Sequence, residues 1–306
     1  MDRDGTVVAE RTRPTHHGTA DEVLAQVMAL VEWLVPGDAT LTALGVSVAA
    51  ALDPRNGRLN SIANIHGLEN VALADELGRH VAARGWTGVV AVANDAELGA
   101  VAEGRLGAAV GLRDYVSITI GTGVGMGMVM GGSVLRGWRG MAGELAYLPV
   151  AGPGVPRDPA GDYEGLVGGR TLQVRCVAEL AAARQAGEST RLDPRTSIAT
   201  ALELARAGDP VAARLVEHEC QDIAIGIATV CAIIDPQLVV LSGGIGSQPG
   251  LVAPVRRAVA ALMDEAPPIE ISALGERAQL LGALEIARDA AKPPGSASAG
   301  SVPGRG

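Results

Sequence analysis

The stretch Ile118-Thr119-Ile120-Gly121-Thr122-Gly123-Val124-Gly125-Met126-Gly127 decides how this chain is read. A β-branched run ending in Gly-Thr-Gly is a strand entering a tight turn. The backbone N–H groups of such a turn face outward, unshielded by any Cβ, and can cradle an anion, above all a phosphate. Gly123, Gly125 and Gly127 occupy alternate positions, so one face of the following strand is bare backbone against which something packs very close. A tight strand turn with no ligand is the plainer alternative for a glycine run taken alone.

Outward from this turn the hydrophobic periodicity alternates between strand and helix. Upstream, residues 6–11 predict a strand, Ala20–Leu34 an amphipathic helix and residues 41–49 an apolar strand. A helix over residues 70–84, a buried strand over 88–93 and a helix over 95–109 follow. Residues 115–129 give two strands around the glycine turn, and from Thr171 helices dominate, the longest over residues 211–234. Strand Leu238–Ser242 runs straight into Gly243-Gly244, before a helix at 251–263, a strand at 269–272 and a closing helix, Ala278–Ala290. Strands alternating with helices imply an α/β fold with a largely parallel sheet. The Pro-, Gly- and Ser-rich tail, residues 292–306, is expected to be disordered.

Composition narrows the class. A chain of 306 residues has room for one large domain or two ordinary ones. Hydrophobic residues make up 48%, but aromatics only 2% with no phenylalanine, so Ala, Val, Leu and Ile must build the core. The net charge of −9, with no basic run or arginine stripe, makes this chain on its own a poor nucleic-acid binder. Cys176, Cys220 and Cys231 lack metal-ligand spacing and fit buried thiols in a reducing compartment. With no signal peptide and no apolar run long enough to span a bilayer, a cytoplasmic protein without a membrane partner is expected.

Asn94-Asp95 stands directly after the apolar strand, at the carboxyl end where open α/β sheets put their ligands. Asp95 can equally serve as the cap of the helix that follows. Glu144 lies in a Gly-rich turn and Glu164 in the loop Gly161-Asp162-Tyr163-Glu164. Three carboxylates in three segments, with an Asn beside one, suit a polyhydroxylated ligand whose hydroxyls donate to carboxylates and accept from amides. Singly, each loop Glu reads as a solvated surface charge.

These motifs, in this order, resemble the ROK family of sugar kinases and sugar-responsive repressors, within the two-domain actin/hexokinase-like (ribonuclease H-like) ATPase folds. The match rests on Asn94-Asp95-Ala96, Gly121-Thr122-Gly123-Val124-Gly125, Ala142-Gly143-Glu144, Asp235-Pro236 with Leu241-Ser242-Gly243-Gly244, and Leu274-Gly275 with Leu281-Gly282-Ala283. The resemblance implies a smaller N-terminal lobe (1–112 with 278–291) and a larger C-terminal lobe (113–277). It implies that Asp95 is the catalytic base of a kinase, and that Asn94, Asp95, Glu144, Tyr147 and Glu164 contact sugar. Gly121, Thr122 and Gly123 would hold nucleotide phosphates, with Gly243 and Gly244 near the adenosine.

Departures from the family pattern are equally specific. Tyr147 stands where the family has a metal-binding His, and no cysteine occurs before Cys176, so zinc is not expected and no metal ligand is assigned. A Pro/Gly loop at 151–161 replaces the family's cysteine cluster, and Ala49-Ala50 its Pro-Gly turn. Against the family, the chain is expected to lack an opening strand pair and an Asp-x-Gly-Gly-Thr phosphate turn. The hairpin turn Asp2-Arg3-Asp4-Gly5 would then lead into a strand with no partner, as in an incomplete or mis-started product. His66 and the pair His16-His17 are expected to be plain loop residues.

The resulting expectation is the effector-sensing part of a sugar-responsive transcriptional regulator, a homodimer as the family resemblance implies, reaching DNA through a segment absent from this chain. The alternative is a glucokinase-like sugar kinase that uses ATP and Mg2+ to phosphorylate a hexose, with Asp95 as base.

Overall fold

The structure, a computed structural model, describes residues 1–2, 6–35, 37, 39–60, 66–150 and 158–293. The turn at Arg3-Asp4-Gly5, most of the loop at 151–161, the His66 side chain and the tail beyond residue 293 lie outside what is described. The chain divides into two units: residues 1–102, 136–142 and 277–306 form the first, and residues 103–135 and 143–276 the second.

In the first unit, helix α1 (Ala20–Leu34) starts where the sequence supplies a reciprocal cap. The Thr19 hydroxyl accepts from the Glu22 amide at 3.4 Å while Glu22 Oε2 accepts from the Thr19 amide at 2.8 Å. Its apolar stripe, Val23, Leu24, Met28 and Val31, packs with Leu73, Leu77 and Val81 of α2 (Leu73–Ala83). Strand β1 (Ala43–Val48) is followed by a short hairpin of β2 (Ala51–Leu52) and β3 (Leu59–Asn60). After α2, β4 (Val89–Asn94) returns parallel to β1, in register from Ala43 opposite Val89 to Val48 opposite Asn94. Helix α3 (Asp95–Leu106) leaves β4 without a linker.

Residues 6–18 contain neither strand nor helix, which corrects the strand expected at 6–11. Two backbone-to-Asp2 and backbone-to-backbone bonds, both 2.9 Å, tie Asp2 to Thr6, but no ladder partner continues the pairing among the described residues. Extended backbone without a partner is satisfied by water rather than by a sheet. Val7 and Val8 accordingly remain exposed.

Strand β5 (Tyr115–Ile120) opens the second unit, followed by β6 (Val124–Met130) and β7 (Ser133–Val134). Helices α4 (Glu164–Val167), α5 (Gly169–Ala186), α6 (Ile198–Arg206) and α7 (Pro210–Ile234) come next. Then follow β8 (Leu238–Ser242), α8 (Gly243–Gly246), α9 (Val252–Ala260) and β9 (Ile269–Ile271). The sheet order is β7-β6-β5-β8-β9. It is mixed rather than largely parallel, because the glycine turn sends β6 straight back along β5; only β5–β8 and β8–β9 run parallel. All five residues of β8 are buried, as expected of a strand covered on both faces. Asp209 caps α7, with Pro210 in its first turn, and Asp235 ends it in a left-handed conformation at φ 49°.

In the first unit the chain closes with α10 (Ala278–Ala290), as the sequence predicts, and glycines decide how near it comes. A Cβ on Gly45 of β1 would lie 1.9 Å from the Ala283 carbonyl oxygen, and one on Gly282 would lie 2.0 Å from that of Leu98. The α10 backbone therefore meets those of β1 and α3 with no side chain between them. Trp33, Trp86 and Trp138 all belong to the first unit, and Tyr115, Tyr147 and Tyr163 to the second. Among the described residues, no helix is long and apolar enough to cross a membrane.

Two consequences are measurable. Gly45→Ala forces α10 off the β1 backbone and is expected to cost at least about 2 kcal/mol in urea unfolding; an unchanged midpoint would contradict the close approach. Glu219 of α7 is fully buried, and burial pushes its carboxyl from 4.5 up to about 7, with Arg175 opposing and Asp222 reinforcing the rise. Between those values the native state keeps a proton that the unfolded chain has released. Stability should therefore fall as pH rises through that window and level off above it. Glu219→Gln should remove this component of the pH dependence.

Candidate functional site

In the second unit, β5 and β8 run side by side, so their carboxyl ends fall together. Thr119 Oγ1 and Ser242 Oγ, 2.8 Å apart, tie the last rung. From these ends the chain enters its two glycine turns. The Gly121 amide donates to the Gly123 carbonyl at 2.9 Å, and the Gly169 amide at the start of α5 donates to the Gly121 carbonyl at 2.8 Å. Gly243 sits at φ 83°, where a Cβ would lie 2.5 Å from the Ile120 carbonyl oxygen. A Cβ on Gly121 would lie 3.6 Å from the Gly244 amide nitrogen, and one on Gly244 would meet no atom within 4 Å. Bare backbone from both turns thus borders open space at the carboxyl end of parallel strands, an arrangement that accepts phosphate oxygens.

Glu164 does not lie in a loop, as expected from sequence, but opens the one-turn helix α4. Its Oε2 accepts a hydrogen bond from the Val124 amide at 2.8 Å, and a Cβ on Gly123 would approach that oxygen to 2.6 Å. The structure therefore brings together Gly121, Thr122, Gly123, Glu164, Gly243 and Gly244.

Glu144 follows Gly143, which sits at φ 92° and where a Cβ would lie 2.4 Å from the Met126 carbonyl oxygen, so no side chain fits there. Leu145 and Ala146 are buried in the short 3-10 turn after Glu144, while Tyr147 is 49% exposed. The Tyr163 amide donates to the Ala146 carbonyl at 3.0 Å, joining the segment of Glu144 and Tyr147 to that of Glu164.

Asn94 ends β4 and Asp95 begins α3, both in the first unit. Asn94 is the principal cap: its Oδ1 accepts from the amides of Ala96 at 2.8 Å and Glu97 at 3.2 Å, while its Nδ2 donates to the Ala50 carbonyl at 3.1 Å. The last bond fastens the Ala49-Ala50 turn to the strand end. Asp95 Oδ1 shares the Ala96 amide at 2.8 Å. Burial raises the Asp95 carboxyl above the ordinary carboxylate range, partly offset by these backbone bonds. Two features were invisible in the sequence. Arg136 Nε donates to Glu97 in the first turn of α3 at 2.9 Å, and Arg55 lies 5.6 Å from the centre of the exposed Trp138 ring.

The contact between Gly123 and Glu164 is testable by a double-mutant cycle. Gly123→Ala should be destabilising in the wild type but clearly less so in Glu164→Ala, with a coupling of at least about 1 kcal/mol in thermal or urea unfolding. Additive effects would mean that Glu164 is not against the turn.

The family model described as ROK family matches residues 1–290. The N-acetylmannosamine kinase of Citrobacter koseri is 35% identical over 267 residues, 85% of this chain and 83% of that protein. The bifunctional enzyme NanE/NanK of Brucella suis is 35% identical over 201 residues, and the match spans about a third of its length, 34%, and 65% of this chain. Among solved structures, the ROK hexokinase of Thermus thermophilus is 32% identical with a TM-score of 0.67, each chain being covered to 90%. A ROK family transcriptional regulator homologous to the Escherichia coli MLC protein shares the fold at 22% identity and a TM-score of 0.77, over 95% of this chain and 74% of that one.

Proposed function

The chain belongs to the ROK family, and on that premise we propose that it is an ATP-dependent sugar kinase. The observation that carries the proposal is the 35% identity, across most of both chains, to a protein named as an N-acetylmannosamine kinase. The local chemistry agrees with it. Asp95, a half-buried carboxylate at the start of α3, accepts the proton of a sugar hydroxyl. The freed oxygen forms its bond to the γ-phosphorus of ATP as the bond from that phosphorus to the β,γ-bridging oxygen breaks, and ADP leaves. Phosphoryl transfer asks chiefly for positioning and charge stabilisation. Gly121, Thr122 and Gly123 hold phosphate oxygens in this scheme, with Gly243 and Gly244 beside the nucleoside. Asn94, Glu144, Tyr147 and Glu164 orient the sugar. The substrate class is an aldohexose or its N-acetylated amino form.

The sugar-responsive regulator expected first from the sequence becomes the second reading. One observation favours it: Tyr147 occupies the position at which the family pattern has a metal-binding His. A regulator needs only to bind sugar and shift between conformations, without turning over ATP.

A turnover screen with ATP and Mg2+ over N-acetylmannosamine, glucose and a β-glucoside separates the two. Asp95→Asn should lower kcat by on the order of a thousandfold while sugar affinity, read by calorimetry, stays nearly unchanged. Glu144→Ala should instead weaken sugar binding. Because the base must be ionised, kcat/KM should fall on the acid side, with a midpoint above that of an ordinary aspartate. Sugar binding without phosphorylation of any of the three would favour the regulator.

A further inference from the structure

Behind Glu164 lies a charged cluster, with Glu219 buried and Arg175 and Asp222 half-buried, that sugar and phosphate contacts do not account for. Arg175 of α5 is 15% exposed and reaches α7, where its Nη1 donates to Glu219 Oε2 at 2.7 Å and its Nη2 to the Asp222 carboxylate. The same Nη2 donates to the Leu166 carbonyl at 3.2 Å, inside the single turn of helix that begins at Glu164. The other Glu219 oxygen, Oε1, is buried with no hydrogen-bond partner among the described residues. A fully buried carboxylate left half satisfied is costly, and nothing about a 25-residue helix packed among α5, α6 and α9 requires one at that place. Among the described residues its one ion-pair partner is Arg175, which makes a further hydrogen bond to Leu166.

A second link runs in parallel. Tyr163, immediately before Glu164, is fully buried, and its hydroxyl donates to the Ile223 carbonyl of α7 at 3.0 Å. Its ring occupies the space beside Gly226, where a Cβ would lie 2.3 Å from the phenol. The one-turn helix is therefore held on both sides of Glu164, by Tyr163 before it and by Arg175 after it. Four residues cannot hold a helical turn by propensity, so its geometry must come from such ties.

We propose that Arg175 is a positioning residue for Glu164: anchored on Glu219 and Asp222, it grips the Leu166 carbonyl and so fixes the turn whose carboxylate meets the Val124 amide and the bare face of Gly123. Glu219 supplies a rigid hydrogen-bond acceptor inside the core, and Asp222 supplies a second on the same helix face one turn later. The inference rests on the reading of Glu164 as a sugar contact only for its catalytic consequence; the positioning itself is a property of the chain without substrate.

The test follows amide hydrogen exchange in full-length Arg175→Met, Arg175→Lys and the milder Asp222→Asn, which removes one partly exposed anchor. Loss of a hydrogen bond to a charged group should speed exchange at residues 163–169 and at Val124 by about tenfold or more, while amides of α1 and α2 keep their wild-type protection. Arg175→Lys, which keeps one charged donor, should recover part of the protection. In sugar turnover, Arg175→Met should raise the sugar KM by about tenfold with kcat changed far less, because the affected carboxylate binds rather than abstracts a proton. Unchanged exchange at 163–169 in Arg175→Met and Asp222→Asn overturns the proposal, whatever the turnover. Loosening of that segment in a protein that phosphorylates no sugar supports the positioning role and counts against the kinase reading instead.

Discussion

The hydrogen bond from the Val124 amide to Glu164 is the constraint on which the second unit depends. It joins the first residue of β6 to the first residue of α4, forty positions further along the chain. It forms only because Gly123 offers no Cβ to the carboxylate. With it in place, the Gly121 carbonyl is free to receive the Gly169 amide, so α5 starts against the turn rather than beyond it. A carboxylate accepting a backbone N–H is a charge-assisted bond and stronger than a neutral one. The same oxygen that stabilises the turn also stands against the open glycine edge.

The wider packing follows from what the composition denies. Without phenylalanine, thickness in the core cannot come from large rings, and the chain instead lets backbones approach. Gly45 and Gly282 do this for α10 in the first unit; Gly226 makes room for the one fully buried ring, that of Tyr163. Interiors of this kind are dense but intolerant, since a single methyl has nowhere to move.

Much of this was legible in the sequence, and the failures have physical causes. Helix α1 could be read from its amphipathic stripe, α10 from its periodicity, and β8 from an unbroken apolar run ending at Gly243-Gly244. Residues 6–11 show the limit of such reading, because alternation says that a segment can be a strand, not that a partner exists. The sequence offered Asp95 as the helix cap, and only the geometry of two amides on one Oδ1 assigned that part chiefly to Asn94. Glu164 looked like a loop residue because a helix of one turn has no period to detect. The link from Arg175 to Glu219 crosses forty-four positions, and each residue alone passes for an ordinary charge on an amphipathic helix.

The division of aromatic residues between the two units has a spectroscopic corollary. Every indole lies in the first unit and every phenol in the second. Emission excited at the red edge of the indole band therefore monitors the first unit alone, while phenol absorbance monitors the second, with no label introduced. Each half of the chain carries its own chromophore, so their melting can be followed separately in one sample, and coincidence of the two curves is a direct measure of whether they unfold as one.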